Sequence, residues 1–319
     1  MKWVVVGAGA WGSAFARLVH EHDSGHEVTL ACRDAALAAQ ITQTGRNERY
    51  LPEGDLQGIR ATTLAAAPLA AADVIVVAVP SRAFRGVVES LPGSAPVLSL
   101  TKGLDPESGA RLSTLVRGRS VAVLSGPNFA EEIAEGLPAA ATIASDDLAL
   151  AEQLQHAIGS LTFRAYGNSD LFGVELCAAA KNVIALAAGA VDGLELGDNA
   201  KAAIITRGLA EMARLGLAAG GRPETFAGLA GMGDLIVTCW SRHGRNRHAG
   251  ELIAQGATAA EAIERIGTVE GITTAPTLRD LGHRLGVELP ITEGVCRVLE
   301  GESIGDLAAT LMGRRYRSE

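Results

Sequence analysis

The sequence predicts an α/β chain in two parts: a doubly wound, mostly parallel sheet within residues 1–168, then an all-helical region over residues 169–319. Three observations predict it. Short apolar runs alternate with helical patterns up to about residue 166, the pattern of a sheet covered by helices on both faces. From Ser169 onward the strand signal vanishes and long helical patterns take over. At the N-terminus, the apolar run Trp3–Val6 feeds a G-x-G-x-x-G turn at Gly7, Gly9 and Gly12, and Ser13 to Leu18 continue at helical spacing.

Strand, tight turn and helix in that order are the dinucleotide-binding fingerprint of a Rossmann-type domain. Gly7 allows the sharp turn, Gly9 lets backbone approach a pyrophosphate, and Gly12 lets helix and strand pack closely. The helix N-terminus offers free N–H groups and a positive dipole end to phosphates. Lys2, the apolar run and Ala14–Ala16 imitate a secretory signal, but glycines interrupt the apolar core and a second strand follows at once. The expected location is therefore the cytoplasm. Strand candidates are Trp3–Val6, Glu27–Ala31, Arg60–Thr62, Val74–Val79, Val97–Ser99, Val121–Leu124, Ala140–Ala144 and Thr162–Ala165. Helical patterns cover Leu171–Val191, Ala200–Leu217, Pro223–Leu229, Arg247–Gln255, Ala259–Arg265, Thr274–Leu285, Ile291–Glu300 and Ile304–Leu311. Asp198 and Asn199 read as the N-cap region of the second, and Thr258 with Glu261 as a capping box ahead of the fifth. Arg314 to Glu319 read as a solvated tail.

At 319 residues the chain suits about two domains. Its 48% hydrophobic content supplies two cores, and a net charge of −8 argues against nucleic acid as a partner. Cys32, Cys177, Cys239 and Cys296 lie far apart with no metal spacing, so they read as buried thiols and no metal is expected. The most membrane-like stretch, Leu64–Val79, is interrupted by Pro68 and Asp73. It reads as a short helix and a buried strand rather than a span of about 20 apolar residues.

Several polar residues are not explained by packing. Arg33 ends the second strand where an acidic residue would select NAD, and a guanidinium there suits a 2′-phosphate; NADPH with NADH accepted is the expectation. The plainer reading of Arg33 is a solvated strand-end charge, while Asp34 reads as an N-cap. Lys102 follows a strand, at the carboxyl edge of the sheet where ligands of open α/β folds bind. Gly126 and Asn128, in the small-residue segment Ser125–Ala130, end another strand; routine βα loops are the alternative for both. Lys181 stands on an apolar helix, where it either pairs internally or sits desolvated at a site with a lowered pKa. Asp234 follows Gly231 and Gly233, with Thr238 one helical turn later; a plain capping Asp is the alternative. The basic cluster Arg242–His248 opens a helix in an acidic protein, suiting a small phosphorylated substrate. A solvated charge run is its alternative.

Together these residues resemble the bacterial NAD(P)-dependent glycerol-3-phosphate dehydrogenases over essentially the whole chain. The segments that carry the resemblance are Gly7–Gly12, Thr101–Leu104, Ser125–Ala130, Ala180–Ala185, Ile205–Met212, Gly231–Asp234, Arg245–Arg247 and Val269–Gly271. The resemblance implies reduction of dihydroxyacetone phosphate to sn-glycerol 3-phosphate for phospholipid synthesis. It implies Lys181 as proton donor and acceptor. It places Lys102, Gly126, Asn128, Asp234, Thr238, Gly244, Arg245 and Asn246 around the substrate, with Arg245 on the phosphate. It gives the cofactor Gly7, Gly9, Ala10, Trp11, Gly12, Arg33, Lys102, Ala130, Arg245, Val269 and Glu270. Three departures stand out: Gly244 replaces a frequent Ser, Asn128 replaces a frequent Thr, and the loop before Glu270 is one residue short. Two other readings compete: a β-hydroxyacid or acyl-CoA dehydrogenase of the same plan, and a nucleotide-sensing regulator without chemistry. Assembly is left open, with a homodimer suited to the helical part.

Overall fold

The computed structural model describes residues 1–22 and 25–304. In chain order the first part holds β1 (Lys2–Val6), α1 (Ala10–His22), β2 (Glu27–Cys32), α2 (Ala35–Thr44), the short hairpin β3 (Arg46–Asn47) and β4 (Leu51–Asp55), and β5 (Arg60–Thr63). It continues with β6 (Val74–Val77), α3 (Ser81–Ser90), β7 (Val97–Ser99), β8 (Val121–Ser125), α4 (Ala130–Ala134), β9 (Ala139–Ala144), α5 (Leu148–Ile158) and β10 (Phe163–Asn168). Every strand candidate is present. The one stretch of helix expected before β6 is instead two 3-10 turns, Leu64–Ala66 and Leu69–Ala71.

The sheet runs β10-β9-β8-β7-β6-β1-β2-β5. The six strands from β5 to β8 are parallel; β9 runs antiparallel to β8, and β10 follows β9 in parallel. Strand β1 is apolar at successive positions because both faces are covered. Trp3 and Val5 enter the core beneath α1, whereas Val4 and Val6 enter the core on the α3 side. After β5 the chain crosses to the other side of β1, which puts the switch point, and the ligand crevice of such sheets, at the carboxyl ends of β1 and β6.

The second part is α6 (Leu171–Gly193), α7 (Gly197–Ala218), α8 (Pro223–Ala227), a π-helical turn (Leu229–Gly233), α9 (Asp234–Trp240), α10 (Arg245–Ala254), α11 (Ala259–Ile266), α12 (Glu270–Leu285) and α13 (Pro290–Leu299). Some of these bounds correct the sequence reading. Helix α7 begins before Asp198, which lies in its first turn and complements the dipole; no side chain caps it. The pattern from Pro223 breaks at Gly228, whose backbone is extended, and re-forms through the π turn into α9; that turn packs closely, since a Cβ on Gly231 would lie 2.1 Å from the Phe226 carbonyl oxygen. Helices α10 and α12 also start earlier than their patterns, at Arg245 and Glu270. The pattern Ile304–Leu311, beyond its first residue, and the tail from Arg314 lie outside the described residues.

Helix α6 is the axis of this part. It is long and apolar enough to cross a membrane, yet nearly all of its residues are packed inside the protein, against α7, α9, α10 and α12. Its crossing with α10 is glycine-made: a Cβ on Gly189 would lie 1.8 Å from the Arg247 carbonyl oxygen, and one on Gly250 would lie 2.0 Å from that of Leu186. Buried Glu175 ties α6 to the sheet region. It accepts from the Ser113 N–H at 2.8 Å, the Ser113 hydroxyl at 2.5 Å and Arg111 at 3.0 Å. Asp34 caps α2 through the Ala36 N–H, and Thr258 and Glu261 form the expected capping box on α11. All four cysteines are buried and unpaired with one another.

Candidate active site

At the end of β1, Gly7 adopts φ +113°, and a Cβ there would lie 2.4 Å from the Ala78 carbonyl oxygen of the neighbouring strand's exit. A Cβ on Gly12 would lie 1.9 Å from the Gly7 carbonyl oxygen, so helix and strand meet backbone to backbone. Gly9 differs: nothing stands within 4 Å of its would-be Cβ. Ala10 and Trp11 open α1 with no acidic side chain in the first turn. An open, positively poled helix start beside a glycine with free space fits a pyrophosphate. The turn is braced from below by Asn47 of the hairpin, fully buried, whose Nδ2 donates to the Ala8 carbonyl at 2.9 Å and to Ser13 Oγ at 2.8 Å. Arg33 stands exposed at the end of β2.

The amine cluster forms where the sheet's carboxyl edge meets the helices. Lys181, 5% exposed, donates from Nζ to Asp234 Oδ1 at 2.5 Å and to Thr238 Oγ1 at 2.8 Å. Lys102 reaches the same carboxylate from the loop after β7, donating to Asp234 Oδ2 at 2.8 Å, Asn128 Oδ1 at 3.0 Å and the Gly126 carbonyl at 3.3 Å. Ser125 adds a hydroxyl to Oδ2 at 3.1 Å. Gly126 is held at φ +149° with Ala141 behind it, which turns its carbonyl toward Lys102.

Two lysines share one carboxylate, so while both are protonated the cluster carries net positive charge and suits an anion. Burial lowers the Lys181 ammonium to about 7, with Lys102 pushing the same way and Asp234 opposing. Burial alone would raise Asp234, but Lys102 and then Lys181 outweigh it and hold the carboxyl below its usual range. Asn128 Nδ2 and Trp11 Nε1 are buried with no hydrogen-bond partner among the described residues. Such donors in a native site call for a ligand or ordered water.

A second chain of contacts runs from α6, beside this cluster, to the start of α3. Asn182, next to Lys181 on α6, accepts from Asn246 Nδ2 at 2.9 Å, and Asn246 Oδ1 accepts from the Gly271 N–H at 2.8 Å. Adjacent Glu270 accepts from the Ser81 N–H at 3.0 Å and the Ser81 hydroxyl at 2.5 Å, at the start of α3. Ala130 is buried at the start of α4, and Val269 is buried just before α12.

The structure thus joins Lys102, Gly126, Asn128, Lys181, Asp234 and Thr238 in one network, and Asn246 and Glu270 in another. It leaves Arg33 and Arg245 exposed outside both. Gly244 is buried ahead of α10, where a Cβ would lie 2.8 Å from the Thr238 carbonyl oxygen. Ser81 and Asn47 escaped the sequence reading, whereas Ser125 and Asn182 lay in segments it singled out without being given a role. Asn182 was detectable by the argument used for Lys181, as a polar residue on an apolar helix; Asn47 lies in a segment without any apolar pattern.

Residues 2–151 match the family description NAD-dependent glycerol-3-phosphate dehydrogenase N-terminus, and residues 170–309 match its C-terminus. A protein of Halorhodospira halophila named glycerol-3-phosphate dehydrogenase (NAD(P)+) is 45% identical over 99% of this chain and 97% of its own length. One of the same name from Moorella thermoacetica is 44% identical over 97% and 95%. The crystal structure of glycerol-3-phosphate dehydrogenase from Coxiella burnetii superposes with a TM-score of 0.92 at 35% identity, covering 98% of this chain and 99% of that one. With both halves matched and relatives aligned end to end, the chain belongs to the NAD-dependent glycerol-3-phosphate dehydrogenase family.

Proposed function

We propose that this chain reduces dihydroxyacetone phosphate to sn-glycerol 3-phosphate, reversibly, with NADPH or NADH. The observation that carries the reading is the buried Lys181 ammonium, fixed by Asp234 and Thr238 at the junction of sheet edge and helices. The glycine turn and the start of α1 would hold the dinucleotide's pyrophosphate, with Trp11, Ala130, Val269 and Glu270 along its length. When bound, the reduced nicotinamide supplies the hydride.

The protein's own residues account for the rest. Negative charge develops on the carbonyl oxygen as the ketone is reduced; Lys181 Nζ stabilises it and gives up the proton. Asp234 holds Lys181 in place and ionised, and Lys102 with Asn128 keeps the site cationic for an anionic substrate. Arg245 and Asn246, at the start of α10, grip the phosphate, whose binding away from the reacting carbon supplies positioning. Thr238 aligns the lysine; Gly244 leaves the turn without a hydroxyl that relatives often carry there. Arg33 favours the 2′-phosphate of NADPH. Residues 1–168 and 169–319 act as nucleotide and substrate domains. The buried thiols suit the reducing cytoplasm, and the product suits phospholipid synthesis. The assembly we favour is a homodimer.

The test follows reduced-nicotinamide absorbance with dihydroxyacetone phosphate, keto acids and acyl-CoA ketones, using NADPH and NADH in parallel. Turnover of dihydroxyacetone phosphate alone is expected. Preference for a keto acid or an acyl-CoA would replace the reading with a hydroxyacid dehydrogenase. Dinucleotide binding without any turnover would favour a sensor.

A further inference from the structure

Beyond the residues assigned above lies a buried cation with no part in the chemistry. Lys201, on α7, is 6% exposed. Its Nζ donates to Asp192 Oδ2 at 2.8 Å and lies 4.9 Å from the centre of the Trp240 ring. The same Asp192 Oδ2, at the end of α6, accepts from Arg247 Nε at 2.6 Å. Glu251 stands 3.6 Å from Arg247, so the group is electrically balanced.

The positions of these partners give the pair its meaning. Trp240 is the last residue of α9, the helix that carries Asp234 and Thr238. Arg247 is the third residue of α10, the helix that opens with Arg245 and Asn246. One carboxylate and one ammonium therefore fasten both ends of the turn 241–244. Arg245 is exposed, so its place is set by the backbone at the start of α10 rather than by bonds of its own. The glycine crossing at Gly189 and Gly250 holds α10 close to α6 along its length; the Asp192 bond fixes the end that faces the site.

We propose that Asp192 and Lys201 are positioning residues that set the Arg245 turn against Lys181 and so determine affinity for the phosphate end of the substrate. The inference rests on the reading of Arg245 as the phosphate contact. Removing either member strands the other charges of the group, and the ends of the turn lose their common anchor. Hydride and proton transfer, set by Lys181 and Asp234, would be little affected.

The experiment uses the full chain and the variants Asp192→Asn, Lys201→Met and Lys201→Arg, with melting temperatures recorded for each. The first two should raise KM for dihydroxyacetone phosphate by about tenfold or more, with kcat within about threefold and KM for the reduced cofactor within about twofold. Lys201→Arg, which keeps the cation, should restore most of the affinity. Should Lys201→Met fail to fold, Trp240→Leu removes the ring contact alone and should raise the same KM by about threefold. An unchanged KM, or parallel losses in kcat and in cofactor KM, would overturn the proposal. Calorimetric titration with sn-glycerol 3-phosphate separates it from the assigned reaction. If the wild type binds this compound without reducing dihydroxyacetone phosphate, the reaction is wrong, and the positioning role is decided by whether Asp192→Asn weakens binding about tenfold. No binding to the wild type overturns both.

Discussion

The glycine turn and the amine cluster solve their problems in opposite ways. The turn works through backbone: its glycines are close in sequence, and their use is what they leave out, since a side chain on Gly7 or Gly12 would enter a neighbouring carbonyl. The cluster works through side chains gathered from afar. Lys181 and Asp234 are 53 residues apart, and Lys102 and Asp234 are 132 apart. A local backbone device is fixed once strand and helix form. A side-chain cluster depends on α6, α9 and the sheet edge all arriving in register, so it is more easily spoiled from a distance.

The largest expected effect breaks the cluster and spares the turn. Lys181→Ala removes the proton donor and the charge opposite the developing oxyanion, and kcat should fall about a thousandfold. Dinucleotide affinity, measured by fluorescence titration, should stay within about twofold of wild type. Turnover retained within tenfold would take Lys181 out of the chemistry. The converse change is Gly12→Ala, which forces a methyl to within 1.9 Å of the Gly7 carbonyl oxygen. It should lower stability by about 1–3 kcal/mol in denaturant unfolding and weaken dinucleotide binding, while leaving the Lys181–Asp234 contact intact. Unchanged cofactor affinity would show that the turn does not hold the dinucleotide.

The same contrast explains how far the sequence alone could be read. The strands of the sheet were visible because each is a short apolar run bounded by turn residues, and the glycine motif states its geometry directly. Lys181 was visible because a charge is out of place on an apolar helix. Lys201 was not: in the run Gly197–Lys201 it sits among polar residues and reads as solvated, and only the meeting of α6, α7 and α9 buries it. The hairpin residue Asn47 was hidden for a similar reason, since Arg46–Asp55 has no alternation to mark a strand. Helix starts were read late at Arg245 and Glu270, because the basic first turn of α10 and the Glu-Gly opening of α12 interrupt the apolar period that marks a helix.

A pH profile sharpens the comparison without any mutation. Lys181 is lowered to about 7 by burial, while Asp234 is held ionised by Lys102 and Lys181. Ketone reduction needs the ammonium, so kcat/KM for dihydroxyacetone phosphate should be flat below about 7 and fall about tenfold per pH unit above it. Oxidation of sn-glycerol 3-phosphate needs the free amine and should rise through the same range. The Cys239 thiol beside this cluster is pushed up to about 12, and burial also raises the Cys177 thiol well above its usual range, so neither adds an inflection. Dinucleotide affinity, resting on backbone N–H groups, should show no inflection there. A reduction rate that climbs with pH would reverse the assigned proton direction.

The smallest effect lies away from both regions and marks the floor for the others. Thr258 accepts from the Glu261 N–H at 3.2 Å, and Glu261 reaches back to the Thr258 N–H at 2.8 Å, capping α11 in an exposed setting. Thr258→Ala should cost about 1 kcal/mol of stability, with kcat and both KM values unchanged. Helix α11 packs on α10, whose far end carries Arg245. If the uncapped variant raised KM for dihydroxyacetone phosphate, looseness at the back of α10 would be reaching its front. The Asp192 anchor would then be insufficient to isolate the phosphate turn from the rest of its helix.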